Sequence, residues 1–108
     1  MADTFNNSTS TAYETSRVVK RTPGRLFGLS GYNSKTATQF IQLHDQTSLP
    51  ADGAIPMMVI SVAASSNFSI DFGANGRAFT KGIVVSNSST GPTLTIGSAD
   101  LWVDAQYL

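Results

Sequence analysis

The segment NFSIDFG sets Phe68, Ile70 and Phe72 against Ser69 and Asp71, an alternation that buries one face of a strand and wets the other. Near the C-terminus the pattern returns: Leu101, Val103, Ala105 and Tyr107 point one way, and Trp102, Asp104 and Gln106 the other. From Glu14 onward the chain is built of such short β-branched or aromatic runs, separated by clusters of Gly, Pro, Asn and Ser. No stretch holds a 3.6-residue apolar period for three turns. The periodicity predicts about eight strands, at 14–21, 24–32, 38–45, 56–64, 67–73, 77–86, 92–96 and 99–107. GANG, residues 73–76, supplies turn glycines between NFSIDFG and RAFTKGIVVS and predicts a hairpin there. The expected fold is all-β, a single-domain antiparallel β-sandwich or jelly-roll-like barrel.

Two segments depart from alternation. In IPMMVISVAA, Met58, Ile60 and Val62 fill one face, while Met57, Val59 and Ala63 leave the other apolar as well. Either the loop 46–55 covers that second face or another subunit does. Residues 1–13 hold too few apolar side chains to offset the entropy of ordering, so the expected organisation is a flexible N-terminal arm (1–13) followed by a β-sandwich domain (14–108).

A chain of 108 residues forms one domain around one modest core. Only 13% of it is charged, with Ser and Thr (14 and 12 residues) taking up the difference. Seven bases against seven acids leave no global field for nucleic acid or anionic lipid. Four of the bases, Arg17, Lys20, Arg21 and Arg25, lie within nine positions. They suit either a docking end for an acidic partner or a strand edge protected from pairing. MADTFNNSTST lacks the basic and apolar regions of a secretory signal, no run is long enough to span a bilayer, and the expected product is soluble and cytosolic. The absence of cysteine removes disulfides, thiol nucleophiles and thiolate metal sites.

His44 is the only histidine, and Asp45 follows it. Adjacent strand residues project to opposite faces, so the two do not form a base and its orienter. One histidine without cysteine also makes a poor zinc site. His44 shares a face with Phe40 and Gln42, as a strand-end polar group or an interface hydrogen-bonding group. GLSGY (28–32) lacks the G-x-S-x-G spacing of a nucleophile elbow and fits a glycine-flanked strand bend. Asp100 and Asp104 stand about 13 Å apart along one face, too far for paired carboxylate catalysis. No catalytic residue, metal site or cofactor is assigned. Trp102 beside Asp104 and Gln106 offers an aromatic platform with hydrogen-bonding neighbours, which suits an interface anchor, packing under the arm, or, with Tyr32, a sugar site.

RLFGLSGYNSKTATQFIQLHDQTSLPADGAIP, NFSIDFG and GIVVSNSSTGPTLTIGSADLWVDAQY together resemble small virion proteins of tailed bacteriophages and are similar to the capsid decoration, or cement, class. The resemblance spans residues 25–107. It implies a β-sandwich or jelly-roll subunit, made in the bacterial cytoplasm, that trimerises on the outer capsid surface and binds the major capsid protein without a cofactor. Arg17, Lys20, Arg21, Arg25, Met57, Val59 and Trp102 are the expected capsid or subunit contacts. The alternative is a carbohydrate-binding module of a tail or fibre that uses Trp102, Asp104 and Tyr32.

Overall fold

The computed structural model describes residues 5–108. Regular structure among them is entirely β: β1 (Asn6–Thr9), β2 (Ser16–Lys20), β3 (Gly24–Asn33), β4 (Gln39–His44), β5 (Met58–Val62), β6 (Ser66–Asp71), β7 (Arg77–Phe79), β8 (Ile83–Ser88) and β9 (Leu101–Tyr107). A front sheet has the order β1-β9-β3-β6, with β7 also on β3, and a back sheet has the order β2-β8-β4-β5. All pairs are antiparallel. Thus β1 meets β9, β2 meets β8, β3 meets β6 and β7, and β4 meets β5. This is one long hairpin rolled over on itself, the strand order of a jelly roll.

Three expectations about elements change. The hairpin at GANG does not form, because β6 and β7 both pair with β3 rather than with each other. Ten residues long, β3 offers one continuous edge. The chain follows that edge, leaves it for residues 72–76 opposite Phe27, and returns at Arg77. Gly73 and Gly76 do adopt positive φ, at 82° and 67°, but they shape this excursion instead of a two-strand turn. The strand expected at 77–86 is two strands, because the chain crosses from front to back sheet at Thr80–Gly82. No strand forms at 92–96, where a single bridge joins Ile96 to Ser88.

Part of the segment expected to be an arm is paired. Asn6–Thr9 lie in register with Tyr107–Asp104, and Ser10 exchanges hydrogen bonds with Val103, donating its N–H to the carbonyl and accepting at Oγ. Residues 1–4 lie outside the described residues. Backbone pairing at a free sheet edge requires no apolar side chain, which is why NNST carries no strand signature.

The core lies between the sheets. Leu26, Leu29, Val103, Ala105 and Leu101 from the front meet Ile41, Leu43, Val62, Ile83 and Val85 from the back, all essentially inaccessible to water. Each Val, Leu or Ile among them contributes about 1.5–3 kcal/mol by leaving water. Gly31 faces inward, and the Phe68 ring takes the space its missing side chain leaves: a Cβ there would lie 2.8 Å from Phe68 Cζ.

The outer side of the back sheet carries a second layer. Gln42 donates through Nε2 to the carbonyls of Thr90, Gly91 and Thr93, which lays the 89–96 loop across the sheet. Val84 and Leu94 are buried, yet stand outside the inter-sheet cluster. The loop before β5 is tied onto this layer through Gly53 N–H to Leu94 O, Leu94 N–H to Ala54 O, and Ile96 N–H to Asp52 Oδ1. Loop cover therefore accounts for the burial of β4 and β8 on both faces. Val59 keeps 39% of its surface exposed at the edge, and Met57 packs partly against the core.

Candidate binding surfaces

His44 and Asp45 part as strand geometry requires. His44 is buried and shares a hydrogen bond with Gln42 (Nε2 to Oε1, 3.1 Å). Since the Gln42 amide nitrogen faces three carbonyls, its oxygen accepts and His44 Nε2 carries the proton. Burial lowers the His44 pKa. Asp45 turns the other way, to the point where the chain changes sheets. Its carboxylate accepts the N–H groups of Thr80 (3.0 Å), Lys81 (2.8 Å) and Gly82 (3.3 Å) and the Thr80 hydroxyl (2.8 Å). Desolvation pushes its pKa up, but these four bonds to the charged form outweigh it and bring the carboxyl down to about 2. Both residues hold the fold. Among the described residues, no group of three or more His, Asp and Glu is placed to hold a metal ion.

The basic run does not form one free patch. Arg17 donates Nε to Ser8 (2.8 Å) and pairs with Glu14 (3.0 Å), so it spans from the edge of the back sheet to β1 of the front. Arg21 reaches the carbonyl of Thr47 and Arg25 that of Asn75, each anchoring a neighbouring loop. Lys20 pairs opposite Ile83 in β8 across a bulge at Val19.

On the outer face of the front sheet, the register brings the expected sugar residues together. Tyr32 is directly opposite Trp102, and Ser30 opposite Asp104. Reading across β1, β9, β3 and β6, one row is Thr9, Asp104, Ser30 and Ser69, and the next is Asn7, Gln106, Gly28 and Asp71. Thr9 donates to Asp104 Oδ1 at 3.0 Å. Trp102 keeps 37% of its surface exposed on this face.

At the far end of this face a cleft of about 520 Å³ opens between Phe5, Phe27, Gly28, Ser69, Asp71 and Gln106. Sequence reasoning passed over it, because it arises from two irregularities that face each other: the bulge at Phe27 and the excursion 72–76. The one local signal was the adjacent pair Leu26-Phe27, two large apolar residues where alternation allows one. The bulge sends Leu26 into the core and Phe27 to the cleft, where its ring lies 4.6 Å from that of Phe5.

The opposite side is different in kind. Leu49, Ile55 and Ile96, on the loops flanking the back sheet, and Val59 at its edge are exposed apolar residues. Ile55 is 81% exposed, although the residues before it are fixed by hydrogen bonds to Leu94 and Ile96.

Comparison of the chain with protein-family models, with characterised proteins and with solved structures gave no match.

Proposed function

We propose that the protein is a virion structural protein of the tailed-phage decoration, or cement, class: a non-catalytic subunit that docks on the major capsid protein at the outer capsid surface and bridges capsomers as a homotrimer. The observation that carries this reading is the set Leu49, Ile55, Val59 and Ile96, apolar side chains held in water on the back-sheet side. Exposed apolar groups on an ordered framework suit a partner surface, because little entropy is lost when they are covered. Arg21 and Lys20, at the end of β2, add positive charge that complements an acidic capsid patch. A subunit that binds only the assembled shell stabilises it by its binding free energy, and a trimer multiplies that by avidity. The test is cosedimentation with empty capsids of the phage that encodes the protein. The parent chain should pellet with shells and Ile55→Asp should not; equal pelleting of both, or of neither, would remove the assignment.

A second reading, a carbohydrate-binding module of a tail or fibre, is favoured by the Tyr32–Trp102 cross-strand pair with Asp104 beside it. An exposed tryptophan beside a half-buried tyrosine, flanked by hydroxyl, amide and carboxylate groups, suits the stacking and hydrogen-bonding needs of a sugar ring.

A further inference from the structure

The cleft at Phe27 has a composition of its own. Its wall is the Phe5–Phe27 pair, rings tilted 42°. Its polar side is made of Asp71, Gln106 and Ser69, around a floor at Gly28. Asp71 Oδ1 accepts the Gly73 N–H at 2.8 Å, while among the described residues its second oxygen, the Gln106 amide and the Ser69 hydroxyl have no hydrogen-bonding partner. Gly28 is what lets Gln106 lie here: a Cβ at that position would stand 2.6 Å from Gln106 Oε1. The volume falls within the range of small-ligand sites, about 300–1,000 Å³.

We propose that this cleft binds a neutral pyranose, with the sugar ring against the Phe5–Phe27 wall and adjacent hydroxyls held by Asp71, Gln106 and Ser69. Three ligand classes meet different fates here. An anion faces Asp71, with no cation among the lining residues. A quaternary ammonium group is best held between aromatic faces, each within about 6 Å of it. These two rings touch each other instead, and present one wall. A polyol fits, because a carboxylate, an amide and a hydroxyl supply both acceptors and donors, and one apolar face of a pyranose covers one aromatic wall.

The inference rests on the carbohydrate reading and extends it. Gln106 and Trp102 lie on the same face of β9, four residues or about 13 Å apart, with the Thr9, Asp104, Ser30 and Ser69 row between them. The cleft would take one sugar unit of a chain whose other units lie along this row toward Tyr32 and Trp102.

The test is an amide chemical-shift titration of the full-length protein with the methyl glycosides of glucose, galactose, mannose and N-acetylglucosamine, and with tetramethylammonium chloride. At least one glycoside should shift Phe27, Gly28, Ser69, Asp71 and Gln106. Its affinity should fall at least tenfold in Gly28→Ala, Asp71→Asn and Phe5→Ala while their spectra stay folded, and change less than twofold in Gly97→Ala, a position with open space around it. Shifts centred on Tyr32 and Trp102 that vanish in Trp102→Ala but survive Gly28→Ala would overturn the cleft and leave the aromatic-pair reading standing. Tighter binding of tetramethylammonium than of any glycoside in the cleft would overturn it in favour of a cation site. No response to any glycoside would remove both carbohydrate readings.

Discussion

Trp102 faces Tyr32 directly across the β3–β9 pair, on the outer face of the front sheet. A tryptophan buried for stability would cost several kcal/mol to truncate. At 37% exposure Trp102→Ala should cost about 2 kcal/mol, below the roughly 3–5 kcal/mol of a fully buried aromatic. If the face binds a glycan polymer, the same substitution should abolish retention on it, and Tyr32→Ala should weaken it. Thermal melts alongside affinity electrophoresis check both at once.

Gly31 makes the opposite prediction. Adding a methyl group there drives it against Trp102 O and the Phe68 ring, and a backbone carbonyl cannot swing aside. Gly31→Ala should therefore destabilise by about 2–3 kcal/mol, the usual cost of overpacking. Gly97→Ala, with open space around it, should be neutral. Urea denaturation of the two variants gives the comparison.

Asp45 links stability to acid. Its folded pKa of about 2 lies below the ordinary 3.8, so the stabilisation is fully present above about pH 4 and is lost as pH falls through about 2. Asp45→Asn should lower stability at pH 7 by about 1 kcal/mol, the low end for bonds to a charged group because the site is open to water. The variant should also flatten the pH dependence between 4 and 2. Melting temperatures across that window decide it.

His44 acts at higher pH with the same sign. Burial lowers its folded pKa, so the unfolded chain takes up a proton that the folded chain refuses as pH falls below 6.5. Stability should decline over that interval, and an NMR titration should place the imidazole midpoint below the ordinary 6.5. Protonation of His44 near pH 6.5 would contradict the buried Gln42 pairing.

Light scattering addresses the back-sheet side. The parent chain should be trimeric, and Ile55→Asp should shift it toward monomer with its melting temperature nearly unchanged, since the residue is already in water. A strict monomer at all concentrations would remove the preformed trimer.

Strand existence was legible wherever one face is buried and the other wet, as in β6 and β9, because the period-2 pattern follows directly from burial. The shared face of Tyr32, Trp102 and Asp104 was legible in part for the same reason: β9 had to show Trp102 and Asp104 on one side. What lay beyond reach depends on partners far along the chain. The GANG glycines carry a hairpin signal, yet the long edge of β3 captured both flanking strands. The Asn6–Thr9 strand had no signal, since its pairing is by backbone alone. The burial of Gln42 and His44 depended on where the 89–96 loop came to rest, while the second face of IPMMVISVAA stays open at Val59 and Ala63. The cleft needed a bulge and an excursion to coincide, and neither is written in composition.

The rolled hairpin sets an order of events for a growing chain. β1 is made before the other eight strands described, and among the described residues its strand partner is β9, made after them all. Until β9 leaves the ribosome, the front sheet has a gap between β1 and β3, and the core lacks Leu101, Val103 and Ala105. Pairings of such long sequence separation place folding in the millisecond-to-second range. β9 also carries Trp102, Asp104 and Gln106, so its arrival completes the core and the outward-facing surface of the front sheet in one step.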